Sequence, residues 1–164
     1  MINNTPSILV SACLTGRPCA YDGKARRDEG VIRLCERYGH VAICPEMMGG
    51  LPCPRERNEI QEGSGSEVVK GKARVTSSSG KDNTSCFMKG AKLALRRALA
   101  GAIKIAILKQ HSPSCSNNVI HDGTFSGRMI NGKGVTAALL VDNGIKVFNE
   151  DEVLEAERCL SAGG

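Results

Sequence analysis

Four short apolar runs punctuate the chain, at residues 7–12, 40–43, 104–108 and 145–148. They alternate little, as strands buried on both faces do. Between them the apolar positions take on a helical period. Val31, Leu34, Cys35 and Tyr38 share one face of a segment over 27–38, and Gly39 is a suitable stop. A longer helix is predicted from Asp82, acting as N-cap, to about Ala100, with Phe87, Ala91, Leu95 and Leu99 as its buried stripe. Further helices are predicted over 135–142, ending at Gly144, and over 151–160. This alternation predicts an α/β fold: a mostly parallel, Rossmann-like sheet, flanked by helices and joined by right-handed crossovers. Residues 66–76, centred on Gly71, predict a small hairpin excursion, and 77–80 a short flexible connector. Residues 47–54, with two Gly and two Pro, and the Gly-rich 122–127 predict loops.

The 164 residues suit a single domain, 1–164, with its core at about 7–150. No apolar run approaches the roughly 20 residues that span a bilayer, so no membrane association is predicted. Residues 1–6 have no basic segment followed by an apolar one, so no signal peptide is predicted and the expected location is cytoplasmic. The net charge of +5 fits an anionic partner, nucleic acid included. Much of it, however, lies at helical positions such as Lys89, Lys92, Arg96 and Arg97, where charge usually forms a solvated face. Aromatic residues make up 3% of the chain and Trp is absent, which leaves little to stack an extended single strand. A small molecule, or one extruded base, is the better match.

Eight cysteines are present without a Cys-x-x-Cys pair, which argues against a thioredoxin-type dithiol and against zinc-finger spacing. Cys35, Cys86 and Cys159 fall on predicted helices and are expected in the core. Cys19 and Cys53 lie in loops, where the spectator role is favoured over ligation. Cys13, Cys44 and Cys115 differ, because each follows a predicted strand. If those strands are parallel neighbours, the three thiols meet beyond the carboxyl edge of the sheet, where open α/β folds bind ligands. Three soft ligands suit a soft metal centre with one position left for substrate; simple burial of strand-end cysteines is the alternative. Cys44 is followed by Pro45 and Glu46, which sets a carboxylate nearby, and Cys115 ends a hydroxyl-rich Ser112-Pro113-Ser114-Cys115 turn.

Other features point less clearly. Lys109 ends the third strand, as an anion holder or a surface residue. The stretch Gly127–Gly134 resembles a phosphate-binding loop, but lacks the final Ser or Thr and a clear preceding strand. It is expected as a loop before helix 135–142, whose N-terminus could still meet an anion. His40, His111 and His121 have no zinc spacing and are expected to face solvent or to be hydrogen-bonded. The carboxylates form no evident acid pair.

Taken together, a set of segments resembles the thiouracil desulfidase family. They are Val10-Ser11-Ala12-Cys13-Leu14, Tyr21-Asp22-Gly23-Lys24, Cys44-Pro45-Glu46, Gly49-Gly50-Leu51-Pro52 with Pro54-Arg55, and Leu108-Lys109 followed by Ser112-Pro113-Ser114-Cys115. The last is Asp122-Gly123-Thr124-Phe125-Ser126-Gly127 leading to Gly134-Val135-Thr136-Ala137-Ala138-Leu139-Leu140. They run in order over residues 8–148. The resemblance implies a 4Fe–4S cluster held by Cys13, Cys44 and Cys115, with one iron free of protein ligands for the substrate's sulfur. It also implies that Glu46 and Ser112 take part in catalysis. The expected activity is non-redox desulfuration of a thiolated pyrimidine, free or as a nucleoside, to its oxo form with release of hydrosulfide. Glu46 would act as general base on water or shuttle a proton to a ring nitrogen, and Ser112 would bind the substrate or orient the water. Two other classes stay open: a module directed at thiolated tRNA, and a non-catalytic cysteine-rich metal or redox sensor. Direct roles for Asp22 and Lys24 are disfavoured, and Arg55 is either structural or substrate-binding. The chain departs from the family pattern at Ser116, where Gly is usual and Ser would be strained in a left-handed conformation, and at His111.

Overall fold

The computed structural model describes residues 7–163. Residues 1–6, on which the absence of a signal peptide was argued, lie outside it. Four strands form a fully parallel sheet: β1 (Ile8–Ser11), β2 (His40–Ile43), β5 (Ile105–Leu108) and β8 (Lys146–Asn149), in the order β2-β1-β5-β8. The central strand β1 is buried along its whole length. Its alternate side chains feed two cores. Ile8 and Val10 pack with Val31, Leu34 and Cys35 of α1 (Glu29–Tyr38) and Ala156 of α6 (Val153–Ser161). Leu9 packs on the other face with Ala94 and Ala98 of α4 (Thr84–Ala100) and Ala137 and Leu140 of α5 (Val135–Asp142). The result is the expected helix–sheet–helix sandwich. Among the described residues no helix is long and apolar enough to cross a membrane.

Several expectations change. The buried stripe of α4 is Phe87, Ala91, Ala94 and Ala98, while Leu95 is only half-buried and Leu99 is 56% exposed. A strict four-residue step overshoots one helical turn by about 40°, so the row from Phe87 to Leu99 swings out of the core. The helix's N-cap is Asn83; Asp82 instead accepts the Thr84 N–H at 2.9 Å. Lys89, Lys92, Arg96 and Arg97 are all exposed on this helix, as a solvated face.

The excursion over 66–76 is not itself a hairpin. The paired strands are β3 (Asn58–Gln61) and β4 (Arg74–Ser77), antiparallel, with the short helix α3 (Gly65–Val69) between them. The signal for α3 was present as Ser64-x-x-Glu67, and the Ser64 N–H donates to Glu67 Oε2 at 2.7 Å. Gly71, at φ +74, turns the chain after this helix rather than between two strands. Residues 77–80 close a tight turn, with the Gly80 N–H on the Ser77 carbonyl at 2.8 Å. A second hairpin of β6 (Val119–His121) and β7 (Met129–Asn131) frames the predicted loop at 122–127. Finally, one helical turn, α2 (Pro45–Met48), occupies the start of the predicted 47–54 loop.

Candidate functional site

β1 runs directly into a 3-10 turn, Ala12–Thr15, that buries Cys13. Cys44 follows β2 as the N-cap of α2. Cys115 lies beyond β5 in a compact turn. All three thiol residues line one cavity of about 240 Å³, together with Glu46, Ser112 and Lys109. The predicted strand-end residues therefore meet.

Cys19 meets them as well. Gly16, at φ +106, reverses the chain after the 3-10 turn, and the Arg17 N–H returns to the Ala12 carbonyl at 3.1 Å. This brings Cys19, 2% exposed, into the cavity wall, where the Cys44 thiol donates to its carbonyl at 3.7 Å. Cys19 thus lies at the crevice, beside the three strand-end cysteines. The Cys53 thiol points instead to the Pro18 carbonyl at 3.3 Å, and Cys53 does not line the cavity. Of the helical cysteines, Cys35 is buried, whereas Cys86 and Cys159 are half-buried.

Backbone contact fixes the two turns that carry Cys44 and Cys115. A Cβ at Gly49 would lie 1.9 Å from the Cys86 carbonyl oxygen, and one at Gly90 would lie 1.9 Å from that of Pro45. α2 and α4 thus touch main chain to main chain, which sets Cys44-Pro45-Glu46 in place. In the other turn, Ser112 Oγ accepts the N–H groups of Ser114 at 3.1 Å and Cys115 at 3.0 Å. The N-terminal N–H groups of α5 bond to this turn: Val135 to the Pro113 carbonyl at 2.9 Å, and Thr136 to that of Ser114 at 2.8 Å. A Cβ on Gly134 would sit 2.4 Å from the Ser114 carbonyl carbon. The apparent phosphate loop is therefore a packing device, and the N-terminus of α5 is occupied by the chain's own carbonyls rather than open to an anion. Ser116 is buried without a positive φ, its hydroxyl bonded to the Val119 carbonyl, so the expected strain is absent there. The left-handed residue is His111, at φ +67, exposed at the cavity rim.

Charge in the site is organised by Arg55. Its Nε donates to Glu46 Oε1 at 3.1 Å, with the two side chains 4% and 13% exposed, and its Nη2 donates to the Cys19 carbonyl at 3.0 Å. This buried partner of Glu46 was left undecided by the sequence, although Arg beside a Pro-rich loop and a lone carboxylate was a usable hint. Lys109 is paired with Glu150 and lines the cavity from its edge. Asp22 is engaged with Arg26 at 2.8 Å and accepts the Lys24 N–H at 3.1 Å, a local turn; neither Asp22 nor Lys24 lines the cavity.

Burial pushes the Cys115 thiol up to about 12, against opposing hydrogen bonds from Ser11 and Ser112. The Cys44 thiol is raised through its hydrogen bond with Cys19 and by burial. The Cys19 thiol is pushed up to about 11, chiefly by Cys13. Burial and neighbouring thiols thus favour the protonated sulfurs, although Arg26, Arg55, Arg57 and Lys109 also line the cavity; a cationic centre would favour the thiolate forms. Among the described residues no three His, Cys, Asp or Glu side chains converge on a single ion. The thiols instead ring a cavity, an arrangement that fits a polynuclear, thiolate-ligated group better than one zinc ion.

Comparison with known proteins agrees with this arrangement. The family model described as 2-thiouracil desulfurase matches residues 8–152. An uncharacterised protein of Bacillus subtilis (strain 168), YbbK, is 43% identical over 146 residues, covering 89% of this chain and 97% of that protein. A solved structure, the [4Fe-4S]-dependent thiouracil desulfidase TudS, superposes with a TM-score of 0.85 at 41% identity, over 96% of this chain and 99% of that one.

Proposed function

This chain belongs to the 2-thiouracil desulfurase family, and on that premise we propose that it desulfurates a thiolated pyrimidine, 2-thiouracil or a related nucleobase or nucleoside. The reaction replaces the thiocarbonyl sulfur with oxygen from water and releases hydrosulfide, with no net electron transfer. Cys13, Cys44 and Cys115 would hold a 4Fe–4S cluster, which supplies a soft Lewis acid for sulfur at an iron without a protein ligand.

The observation that carries this reading is the convergence of three thiols, two buried and that of Cys44 half-buried, on one cavity with an ion-paired carboxylate, Glu46, in the same wall. Arg55 engages Oε1 of Glu46. Oε2 is then the oxygen that takes a proton from the attacking water, a contribution of about 10²–10⁴-fold. The Ser112 oxygen already accepts two backbone N–H groups, so its hydroxyl serves as a donor, toward the substrate or the Cys115 sulfur. Ile43, Pro45 and Pro113 give the cavity apolar walls, and its volume of about 240 Å³ is on the scale of a small molecule.

Anaerobic reconstitution with iron and sulfide tests the proposal. The expected result is a brown protein with four irons that converts 2-thiouracil to uracil and releases one sulfide per turnover. A protein that takes up four irons yet leaves 2-thiouracil and 2-thiouridine intact overturns it.

A further inference from the structure

Among the described residues two buried side-chain polar atoms have no hydrogen bond, Glu59 Oε1 and His121 Nδ1, and they face each other at 3.9 Å. Glu59 stands on β3 and is 1% exposed. His121 ends β6 and lines the cavity. The remaining oxygen of Glu59 accepts the Phe125 N–H at 2.8 Å, and Gln61 Nε2 donates to the Gly123 carbonyl at 2.8 Å. Gly123 is at φ +92, and a Cβ there would lie 2.6 Å from the Ile60 carbonyl oxygen. The Asp-Gly-Thr-Phe-Ser-Gly loop at 122–127 is thus strapped to β3, and this strap fixes where β6 delivers the imidazole.

A buried carboxylate oxygen without a donor is costly, and the imidazole Nδ1–H is the group that can satisfy it. Catalytic hydrogen bonds are often long before substrate arrives and shorten in the complex. With Nδ1 carrying the proton for Glu59, Nε2 is left as an acceptor on the ring edge available to the cavity. We infer that His121 binds the substrate heterocycle by accepting a ring N–H at Nε2, and that Glu59 is the positioning residue that selects this tautomer. The ligand class recognised is a cyclic thioamide carrying an N–H beside its thiocarbonyl. The inference rests on the desulfidase reading.

The test uses cluster-loaded protein with 2-thiouracil as probe. His121→Ala should keep the cluster absorbance and raise KM by about 10–100-fold, with a smaller fall in kcat, as expected for the loss of one substrate hydrogen bond. Glu59→Gln should raise KM less, and should add nothing in the His121→Ala background, because it acts only through the imidazole. His121→Gln, whose carbonyl oxygen can accept, should recover part of the loss, and His121→Leu none. Nitrogen-15 spectra of the loaded protein should show His121 protonated at Nδ1, and a tautomer mixture in Glu59→Gln. Wild-type turnover with a His121→Ala KM within twofold of normal overturns this inference alone, as do additive losses or an Nε2–H tautomer. Absence of wild-type turnover overturns the desulfidase reading together with it.

Discussion

The carboxyl edge of the parallel sheet and the two antiparallel hairpins wall the same cavity by different means. At the sheet edge, Cys13, Cys44 and Cys115 hang from strands and turns seated in two apolar cores, and backbone contacts at Gly49, Gly90 and Gly134 leave those turns no room to move. The hairpin strands are three or four residues long and seat Ile60, Val75 and Ile120 in a third apolar core with Phe87, Ala91 and Val135, and they bring the polar residues Asn58, Glu59 and His121. The sheet edge supplies soft sulfur from the two cores that flank the sheet; the hairpins supply hard polar groups from a separate core. Substitutions at the edge should therefore decide whether a reactive centre assembles, and substitutions in the hairpins should decide what it accepts.

The largest effect expected is at the edge. Cys44→Ser should remove cluster absorbance and activity together, because one of the three proposed thiolate ligands is lost. Cys53→Ser, in the same region but directed at the Pro18 carbonyl, should keep both. Iron quantitation with absorbance near 400 nm, in the range of thiolate-to-iron transitions, separates the two outcomes. A Cys44→Ser protein that binds four irons at full occupancy breaks the division drawn above. Next in size is Glu46→Gln, which keeps a carbonyl oxygen for Arg55 but removes the base. Its cluster content should be normal and its kcat lower by about 10²–10⁴-fold. A normal rate would remove Glu46 from the chemistry and leave it a structural partner of Arg55.

The same division explains what the sequence disclosed. Strands β1, β2, β5 and β8 are continuous apolar runs, and burial on both faces of a parallel sheet leaves that mark in any chain. Because the strands were identifiable, so was the meeting of Cys13, Cys44 and Cys115. The hairpin strands leave no such mark: Asn58–Gln61 and Met129–Asn131 are short and mixed in polarity, and their pairing depends on partners distant in sequence. His121 accordingly looked like an isolated histidine, and its Glu59 partner lies 62 residues earlier. Cys19 enters the cavity wall by a route that leaves no periodicity, the reversal of the chain at Gly16. The α3 helix is a different case: its capping box, Ser64-x-x-Glu67, is visible in the sequence, while the β-branched residues that follow it point to strands.

A matched pair of glycines sharpens the contrast at moderate size. Gly134→Ala forces a Cβ against the Ser114 main chain on the edge side, and should cost about 1–3 kcal/mol, with reduced cluster retention because Cys115 is displaced. Gly123→Ala forces a side chain into a left-handed residue beside Ile60 on the hairpin side. It should cost a similar amount, about 1–2 kcal/mol, yet leave cluster content unchanged and raise KM. Thermal unfolding, iron content and KM measured on both variants decide the matter. Equal cluster loss in the two proteins would mean that hairpins and edge form one mechanical unit.

The smallest effect concerns whether the raised thiols belong to the cavity or to burial in general. Cys35, packed under β1 and away from the cavity, is pushed up to about 12 from 9.0, by burial first and the Glu36 charge second. Cys115 is pushed to the same range by burial. In both cases the folded state holds its proton longer than the unfolded chain does. Their stabilisation is therefore complete below pH 9 and is lost as pH rises toward 12, with a slope of at most about 1.4 kcal/mol per pH unit for each thiol. Urea unfolding of the cluster-free protein between pH 8 and 11 should show this decline. Cys35→Ala should lower stability at pH 8 through the cavity it leaves and should make the decline shallower. Loading the cluster should remove the Cys115 part of the slope, since a metal-bound thiolate has no proton to lose, and should leave the Cys35 part intact. Unchanged slopes in Cys35→Ala would mean that the unfolded chain, and not burial in the α1 core, sets the alkaline limit of this protein.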